Sequence, residues 1–320
     1  MNDLSDSLKS FITTRRSRRR FLTQTGLAGL GALTLSQLSG FNSVAEAAQG
    51  QNLDITDVNI LNFALNLEYL EAEFYLRAAF GRGLNQEDRV GFGAVGEVIG
   101  GRQVAFASDV IRQYAFEIAE DEEAHVRFIR SALGSFAVSA PTIDIGPAFT
   151  AAAVAAGIIP QGQMFDAYAN EVNFLLAAFI FEDVGVTAYK GAARFIVDKD
   201  ILEAAAGLLA AEAYHASEIR TVLYGRNAMN PELGIAGTVQ RISDLRDSVD
   251  GPTDLDQGII GPGVTGSVSR ANILPADANG LAFSRNIDQV LRIVYLGGAS
   301  QGGFFPNGVN TFRTRRRLGL

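Results

Sequence analysis

The sequence predicts an all-α protein: a four-helix bundle with a long crossover between its second and third helices, followed by an irregular C-terminal extension. Two observations carry this prediction. The chain's two histidines, His125 and His215, each stand three residues after a glutamate, Glu122 and Glu212, and three residues are about one helical turn. Apolar residues also recur at steps of three and four through four long segments, which is the period of an amphipathic helix. Each histidine should therefore project from the same helical face as its glutamate.

Residues 1–47 differ in composition from the rest and are predicted to be a signal peptide. Basic residues precede an apolar stretch, residues 26–38, which is too short to span a bilayer. Ala45-Glu46-Ala47 fits a cleavage site, and Ser17-Arg18-Arg19-Arg20-Phe21-Leu22 resembles the twin-arginine export motif. A generic basic leader is the alternative. We expect a periplasmic or otherwise exported protein, and the motif's resemblance implies export in the folded state, after metal loading.

The first pair of predicted helices carries one glutamate and one Glu-x-x-His. The first helix covers residues 54–80, has Glu68 on its apolar stripe and ends at Gly81 and Gly83. A glycine-rich loop follows. The second helix begins after Ser108, a plausible N-cap, and ends at Leu133 before a glycine. Its stripe contains the first Glu-x-x-His motif.

The second pair repeats this arrangement. The third helix is predicted over residues 164–197 with Glu182 on its stripe, and the fourth continues to Tyr224, before Gly225. Only a few residues join these two helices, so they should be antiparallel neighbours, whereas about thirty separate the second helix from the third and form the crossover. Residues 149–156 of the crossover are alanine-rich and predict a short helix.

The C-terminal extension is assigned to residues 227–320, and the bundle to residues 48–226. Glycine, proline, asparagine and aspartate become frequent after the fourth helix, which predicts irregular structure with short helices near 236–247 and 286–296. The segment is too apolar for a disordered tail. We expect it to pack on the bundle or on a neighbouring subunit, and a homo-oligomer remains open.

Composition restricts the chemistry. The chain contains no cysteine, so metal ligands would be Asp, Glu and His, a set that suits Fe, Mn or Zn. Its formal net charge of −8 argues against a nucleic-acid partner. No segment after the leader is predicted to be a stable membrane span.

The predicted site is a two-metal centre, and the argument for it is electrostatic. Four glutamates on the inward faces of a bundle would place four charges in a medium of low dielectric constant, at a cost of several kcal/mol per ion unless they are paired. No Lys or Arg lies beside them on the same stripes. Two divalent cations would neutralise them. The predicted ligands are Glu68, Glu122, His125, Glu182, Glu212 and His215.

Other side chains are weaker candidates. Tyr75 stands seven residues after Glu68, and Tyr189 seven after Glu182, so the phenols could bind ligand carboxylates or take part in redox chemistry. Tyr75 is the candidate catalytic residue, whereas core packing is equally plausible for Tyr189. Glu71 is a candidate extra ligand. We favour the alternative that it is an exposed carboxylate or one that lies next to the ligands without binding metal. Glu117, Glu120 and Glu123 are predicted to lie on a solvated face.

These motifs resemble those of the ferritin-like superfamily, which includes bacterioferritin, rubrerythrin and manganese catalase. The resemblance rests on Glu68 with Tyr75, Asp121-Glu122-x-x-His125, Glu182, and Glu212-x-x-His215. It implies that Glu68 and Glu182 are terminal or bridging carboxylates, and that Asp121 contacts a metal ligand without binding the metal itself. A closer resemblance, to exported ferritin-like proteins related to desiccation-related proteins, includes tail motifs and implies a role in stress. The tail motifs are Pro275-Ala276-Asp277-Ala278-Asn279-Gly280, Phe283-Ser284-Arg285 and Gly302-Gly303-Phe304-Phe305-Pro306-Asn307-Gly308.

Three functions fit the sequence. The first is a two-metal redox protein whose substrate is O₂ or peroxide. Manganese would favour catalase-like turnover, and iron would favour ferroxidase or peroxidase chemistry. The second is a non-enzymatic stress-protection protein that uses metals to stabilise its bundle. The third is a metal buffer.

Overall fold

The computed structural model describes residues 55–265 and 268–312. The predicted signal peptide, with its arginine motif and cleavage site, lies outside these residues. Within them the chain is mostly helical with little strand, so the all-α prediction is confirmed. The helices in chain order are α1 (Ile55–Phe80), α2 (Gln86–Arg89), α3 (Asp109–Leu133), α4 (Pro147–Ala155), α5 (Glu171–Ala193), α6 (Lys199–Met229), α7 (Ile235–Asp250) and α8 (Ile287–Val294).

The bundle consists of α1, α3, α5 and α6, arranged as two helical pairs. The most extensive packing is between α1 and α3 and between α5 and α6. Residues 194–198 join α5 to α6, and a link this short between packed helices makes them antiparallel. Residues 134–170 form the crossover between the pairs, and they contain the predicted short helix as α4. The four-helix architecture predicted from the sequence is therefore present.

Side-chain caps explain where three bundle helices begin. Ser108 accepts a hydrogen bond from the Ile111 N–H at the start of α3. Asn170 accepts from two N–H groups at the start of α5, and Asp198 does the same for α6. Each cap satisfies N–H groups that have no partner inside the helix. In addition, the buried carboxylate of Asp57 on α1 accepts from the Val197 and Asp198 N–H groups, which fixes the start of α6 against the first pair.

Two bundle helices differ from the prediction in where they begin or end. The third bundle helix is shorter than residues 164–197, because the Asn170 cap sets its start and the chain leaves the helix after Ala193. The fourth continues through Gly225 to Met229. A single glycine costs a helix about 1 kcal/mol, which packing overrides. The stop comes at Asn230 because Pro231 disfavours a helical conformation in the residue before it.

Two small sheets were not predicted. Strand β1 (Val98–Ile99), in the loop after α2, pairs in parallel with β2 (Ile143–Asp144) of the crossover. In the extension, β3 (Ile260–Thr265) pairs with β4 (Val268–Ala271) in an antiparallel hairpin. The first sheet ties the loop of the first helical pair to the crossover.

The extension packs on the bundle of its own chain. Phe304 and Phe305 are fully buried, and the Phe304 ring contacts Phe149 of α4 and Phe181 of α5. Its predicted short helices are present as α7 and α8. Of the described residues, only α5 is long and apolar enough to cross a membrane, and 78% of its most apolar window is buried inside the fold.

Candidate metal centre

All six predicted ligands lie buried at the centre of the bundle. None is more than 9% exposed. Helices α1 and α5 each contribute one glutamate, and α3 and α6 each contribute a Glu-x-x-His pair. The three-residue spacing places each Glu beside its His, as expected from helix geometry. Whether these residues bind metal stays a prediction.

The ligand atoms of the described chain form two overlapping groups. The His125 group consists of Glu68, Glu122, His125 and Glu212, and the His215 group consists of Glu122, Glu182 and His215. Within each group, one ligand atom from every residue lies within 4.8 Å of the others. Glu122 belongs to both groups, so its carboxylate would be shared if each group held an ion.

Interatomic distances show how each imidazole faces its carboxylates. His125 Nδ1 lies 3.3 Å from Glu68 Oε2, 3.4 Å from Glu122 Oε2 and 3.8 Å from Glu212 Oε1. His215 Nδ1 lies 3.1 Å from Glu122 Oε1 and 3.6 Å from Glu182 Oε2. Glu122 therefore turns one oxygen toward each ring, and each Nδ1 is the nitrogen available to a metal.

The ligand atoms lack ordinary hydrogen-bond partners. In the described part of the chain, buried polar atoms without a hydrogen bond include both oxygens of Glu122 and of Glu212, one oxygen each of Glu68 and Glu182, and both histidine Nδ1 atoms. Buried polar atoms in native proteins are nearly always paired, and convergent exceptions call for a ligand. The donor set of carboxylate oxygens and imidazole nitrogens fits Fe, Mn or Zn.

Burial shifts the pKa values at this centre. Burial raises the pKa of Glu68 to about 7. Burial, together with Glu71 and Glu122, raises the pKa of Glu212 well above its usual value. Burial would also raise the pKa of Glu122, but His125 and His215 outweigh it and lower that pKa. The protein alone thus provides too little positive charge for all its carboxylates, a deficit that two divalent cations would remove.

Two tyrosines hold the glutamates of the helices opposite them. The Tyr75 hydroxyl on α1 donates to Glu182 on α5, and the Tyr189 hydroxyl on α5 donates to Glu68 on α1. Both rings are buried. Tyr189 therefore has a polar contact to a candidate ligand in addition to its packing. The catalytic role of Tyr75 stays a prediction, but its contact fits a residue that orients a carboxylate.

Asp121 approaches the centre from the outside. Its Oδ2 lies 3.4 Å from His215 Nε2. A carboxylate that accepts from one ring nitrogen directs the other nitrogen toward a metal. The position is the one that the family resemblance implied.

Sequence reasoning missed Gly185, which lies one turn after Glu182 on the inward side of α5. A Cβ atom here would fall 2.3 Å from Glu212 Oε2 and 3.5 Å from Glu71 Oε1. The space beside this glycine therefore accommodates the Glu212 carboxylate. The i, i+3 spacing from Glu182 was the available signal.

The remaining glutamates have mixed outcomes. Glu71 is buried but belongs to neither ligand group. Glu117 and Glu120 are exposed, as predicted. Glu123 is 7% exposed, and the prediction of a solvated face was wrong for it. Its carboxylate pairs with Arg82, which comes from the loop after α1, and with Arg127, which lies one turn further along α3.

A four-helix bundle with a crossover, carrying two Glu-x-x-His pairs and two further inward glutamates, is the architecture of ferritin-like proteins. The family model of the ferritin-like domain matches residues 56–225, and the chain belongs to this family.

Two relatives match along most of their length. The desiccation-related protein PCC13-62 of Craterostigma plantagineum is 33% identical over 272 residues, covering 82% of this chain and 85% of the relative. The ferritin-like catalase Nec2 of Nesocodon mauritianus is 29% identical over 278 residues, covering 83% of this chain and 87% of the relative. No solved structure gives a significant match.

Proposed function

We propose that this chain is an exported metalloprotein whose two-metal centre performs redox chemistry on peroxide or O₂. The observation that carries the proposal is the convergence of unpaired, buried carboxylate and imidazole atoms around one shared carboxylate, Glu122. Two Fe or Mn ions would supply the redox capacity that this chemistry needs. Zn also suits the ligands, but it has no redox chemistry.

The surrounding residues have separate roles in this proposal. Tyr75 and Tyr189 hold the Glu182 and Glu68 carboxylates in place through their hydroxyl groups. Aromatic rings of Phe74 and Phe174 pack around Tyr75 and exclude water from that side. The protein therefore combines fixed ligands with a largely dry interior, in which electrostatic interactions are strong.

Peroxide disproportionation is the reaction we favour. One relative is named a ferritin-like catalase. In this reaction two H₂O₂ molecules give two H₂O and one O₂, so one peroxide is reduced and the other oxidised, and no further reductant is needed. Fe(II) oxidation by O₂ or peroxide is the alternative reaction at the same centre.

Metal analysis followed by two activity assays tests this proposal. Native protein purified without chelator should contain two Fe or Mn ions per chain. Oxygen release from H₂O₂ and oxidation of added Fe(II) should then be measured on the loaded protein. A His125→Ala/His215→Ala double variant, which removes one nitrogen ligand from each group, is the matched control. Loaded wild-type protein with no turnover above that control in either assay would contradict the enzymatic proposal.

A non-enzymatic role is the second candidate, because the other relative is named a desiccation-related protein. In this case the metals stabilise a bundle that protects other molecules during drying. Protection of a test enzyme through drying by both loaded wild-type protein and a folded, catalytically silent variant would favour this role. Ready release of the metals to a weak chelator would instead favour a metal buffer.

We further propose that the protein acts in the periplasm or outside the cell, and that it has no nucleic-acid partner and no stable membrane span. The support is the arginine motif of the leader and the formal net charge of −8.

A further inference from the structure

Three arginines of the described chain are among its most deeply buried large side chains. Arg220 of α6 is 0% exposed, Arg246 of α7 is 1%, and Arg285 of the extension is 2%. They pair with three buried aspartates, which balances the charges. We call the six residues the arginine–aspartate cluster: Arg220, Arg246, Arg285, Asp183, Asp250 and Asp256.

The cluster contacts α5 at Asp183, the residue directly after Glu182. Arg220 Nη1 lies 2.8 Å and Arg246 Nη2 lies 2.9 Å from Asp183 Oδ2. Arg246 Nη1 also donates to the Phe179 carbonyl oxygen at 2.6 Å. The extension therefore binds both a side chain and the main chain of the helix that carries Glu182.

Arg285 attaches to the same helix one turn further on. Its backbone N–H donates to the Thr187 carbonyl oxygen at 3.0 Å, and its Nη1 donates to Thr187 Oγ1 at 3.3 Å. Its guanidinium also binds Asp250 and Asp256 of the extension, at 2.6 and 3.0 Å. The arginine thus joins α5 to two other parts of the extension at once.

The anchored positions form a face of their own on α5. Phe179, Asp183 and Thr187 are spaced by four residues and lie along one side of the helix. Glu182 and Tyr189, which serve the metal centre, point to a different side. Contacts on the first side fix the rotation of α5 about its axis, and this rotation decides where Glu182 lies.

The two ligand groups depend on the cluster to different degrees. Two of the three residues of the His215 group, Glu182 and His215, come from α5 and α6, which the cluster anchors through Asp183 and Arg220. Three of the four residues of the His125 group come from α1 and α3, which the described cluster contacts do not touch. A disturbed cluster should therefore affect the His215 group more.

We propose that the C-terminal extension is a positioning element of the metal centre, which acts through the arginine–aspartate cluster to hold Glu182 and His215 in place. The inference rests on the proposed two-metal site. It assigns a function to a segment that lies outside the matched ferritin-like domain, residues 56–225.

The test is Mn²⁺ binding by the full chain carrying Asp183→Asn. The substitution keeps the side-chain volume and removes the charge that Arg220 and Arg246 share. Glu171→Gln is the matched control, because Glu171 is also a buried α5 carboxylate paired with an α6 arginine, Arg226, but it lies eleven residues from Glu182. Binding is followed by metal analysis and by the EPR spectrum of Mn²⁺, which distinguishes a single ion from an interacting pair.

Asp183→Asn should weaken the binding of one of the two Mn²⁺ ions by about 10- to 100-fold, which is the typical loss when a residue that orients a metal ligand is replaced. The EPR spectrum should change from a pair to a single ion at Mn²⁺ concentrations that still saturate the control. Equal loss of melting temperature in both variants is compatible with this result. Retention of both ions with wild-type affinity would overturn the inference, and so would parallel weakening of both ions.

Arg246→Lys decides the matter if Asp183→Asn does not fold. It keeps the positive charge but lacks the planar fork that reaches Asp183, Asp256 and the Phe179 carbonyl. The same selective loss is expected, and unchanged binding of both ions would overturn the inference. Wild-type protein that binds no Mn²⁺ pair would instead count against the two-metal centre itself.

Discussion

Glu122 is the residue on which both halves of the candidate centre depend. Its two oxygens face different imidazoles, at 3.4 Å from His125 Nδ1 and 3.1 Å from His215 Nδ1. Its pKa is lowered because the two histidines outweigh its burial. An ionised carboxylate that faces both imidazoles would suit a ligand shared by the two ions that we propose.

We therefore expect Glu122→Gln to lower the binding affinity for both metal ions together. An amide keeps the shape of the side chain but cannot offer two anionic oxygens. Metal content and Mn²⁺ titration measure the effect, and Glu123→Gln, which alters a buried neighbour paired with Arg82 and Arg127, is the control. Loss of a single ion in Glu122→Gln would contradict the shared role.

Gly185→Ala should separate metal binding from stability. The new Cβ would fall 2.3 Å from Glu212 Oε2, so this carboxylate must move, whereas alanine favours a helix by about 1 kcal/mol over glycine. Metal affinity should fall while the melting temperature of the metal-free protein stays level or rises. Gly207→Ala on α6, where a Cβ meets no atom within 4 Å, is the control and should bind metal normally.

The placement of each Glu beside its His was predictable from the sequence because each Glu-x-x-His pair is local. A three-residue spacing fixes the neighbours of Glu122 and Glu212 without knowledge of the tertiary structure. The crossed Tyr75–Glu182 contact and the partners of Arg220 could not be predicted in this way. Tyr75 and Glu182 are 107 residues apart in sequence, and Arg220 and Asp183 are 37 apart. Packing alone brings these residues together.

At the scale of elements, helix boundaries were predicted where a local signal is strong and were missed where packing decides. Ser108, the predicted N-cap, caps α3 with its own side chain, which is a local signal, whereas the start of α5 after Asn170 was predicted seven residues too early. The end of α6 depends on how a glycine is tolerated inside a packed helix, and Gly225 was misjudged for this reason. The β3–β4 hairpin was missed because the glycine-rich extension shows little alternation of apolar and polar residues.

The extension helix α7 carries a pH-dependent element away from the centre. Burial is the main cause that raises the pKa of Asp247, and the neighbouring Asp254 is the second. Together they bring this pKa to about 6. An unfolded Asp has a pKa of about 3.9, so the folded chain binds more protons between these values. Ionisation of Asp247 therefore lowers the free energy of unfolding increasingly as pH rises through this window. The destabilisation disappears as pH falls back toward the unfolded value.

We expect Asp247→Asn to stabilise the protein at neutral pH and to have no such effect below about pH 4. The gain should be under about 1 kcal/mol, because the side chain is partly exposed and solvent screens it. The Leu255 N–H can still donate to the amide oxygen. Chemical denaturation across pH, compared with Asp244→Asn, measures the effect. A gain that is equal at all pH values would refute the assignment to Asp247.

At the scale of the whole molecule, metal and fold should be coupled. A ligand present at a hundred times its Kd stabilises a folded protein by about 2.7 kcal/mol. Adding Fe(II), Mn(II) or Zn(II) to chelator-treated protein should therefore raise its melting temperature by several degrees. Glu122→Gln/Glu212→Gln should gain less from metal yet tolerate its removal better, since two buried charges are gone. No gain in wild-type protein with any of the three ions would contradict the two-metal centre.

The proposed export also concerns the whole chain. Replacing Arg18 and Arg19 with lysine should leave precursor in the cytoplasm, because the leader's resemblance to a twin-arginine signal rests on this pair. Cell fractionation and the size of the mature chain measure the result. Normal export of the double variant would refute the twin-arginine assignment.

Helix α5 bears on the export route that we propose. It has 23 residues, enough to cross a bilayer, and its apolar surface is hidden only after the bundle and the extension have closed around it. A translocation channel that threads unfolded chains sorts segments by hydropathy and releases apolar ones sideways into the lipid. Such a channel would meet this segment unfolded and without its neighbours, and would insert it into the membrane as a transmembrane helix. A carrier of folded proteins would meet only the finished exterior, so the helix that carries Glu182 would favour transport after folding if the chain is exported as we propose.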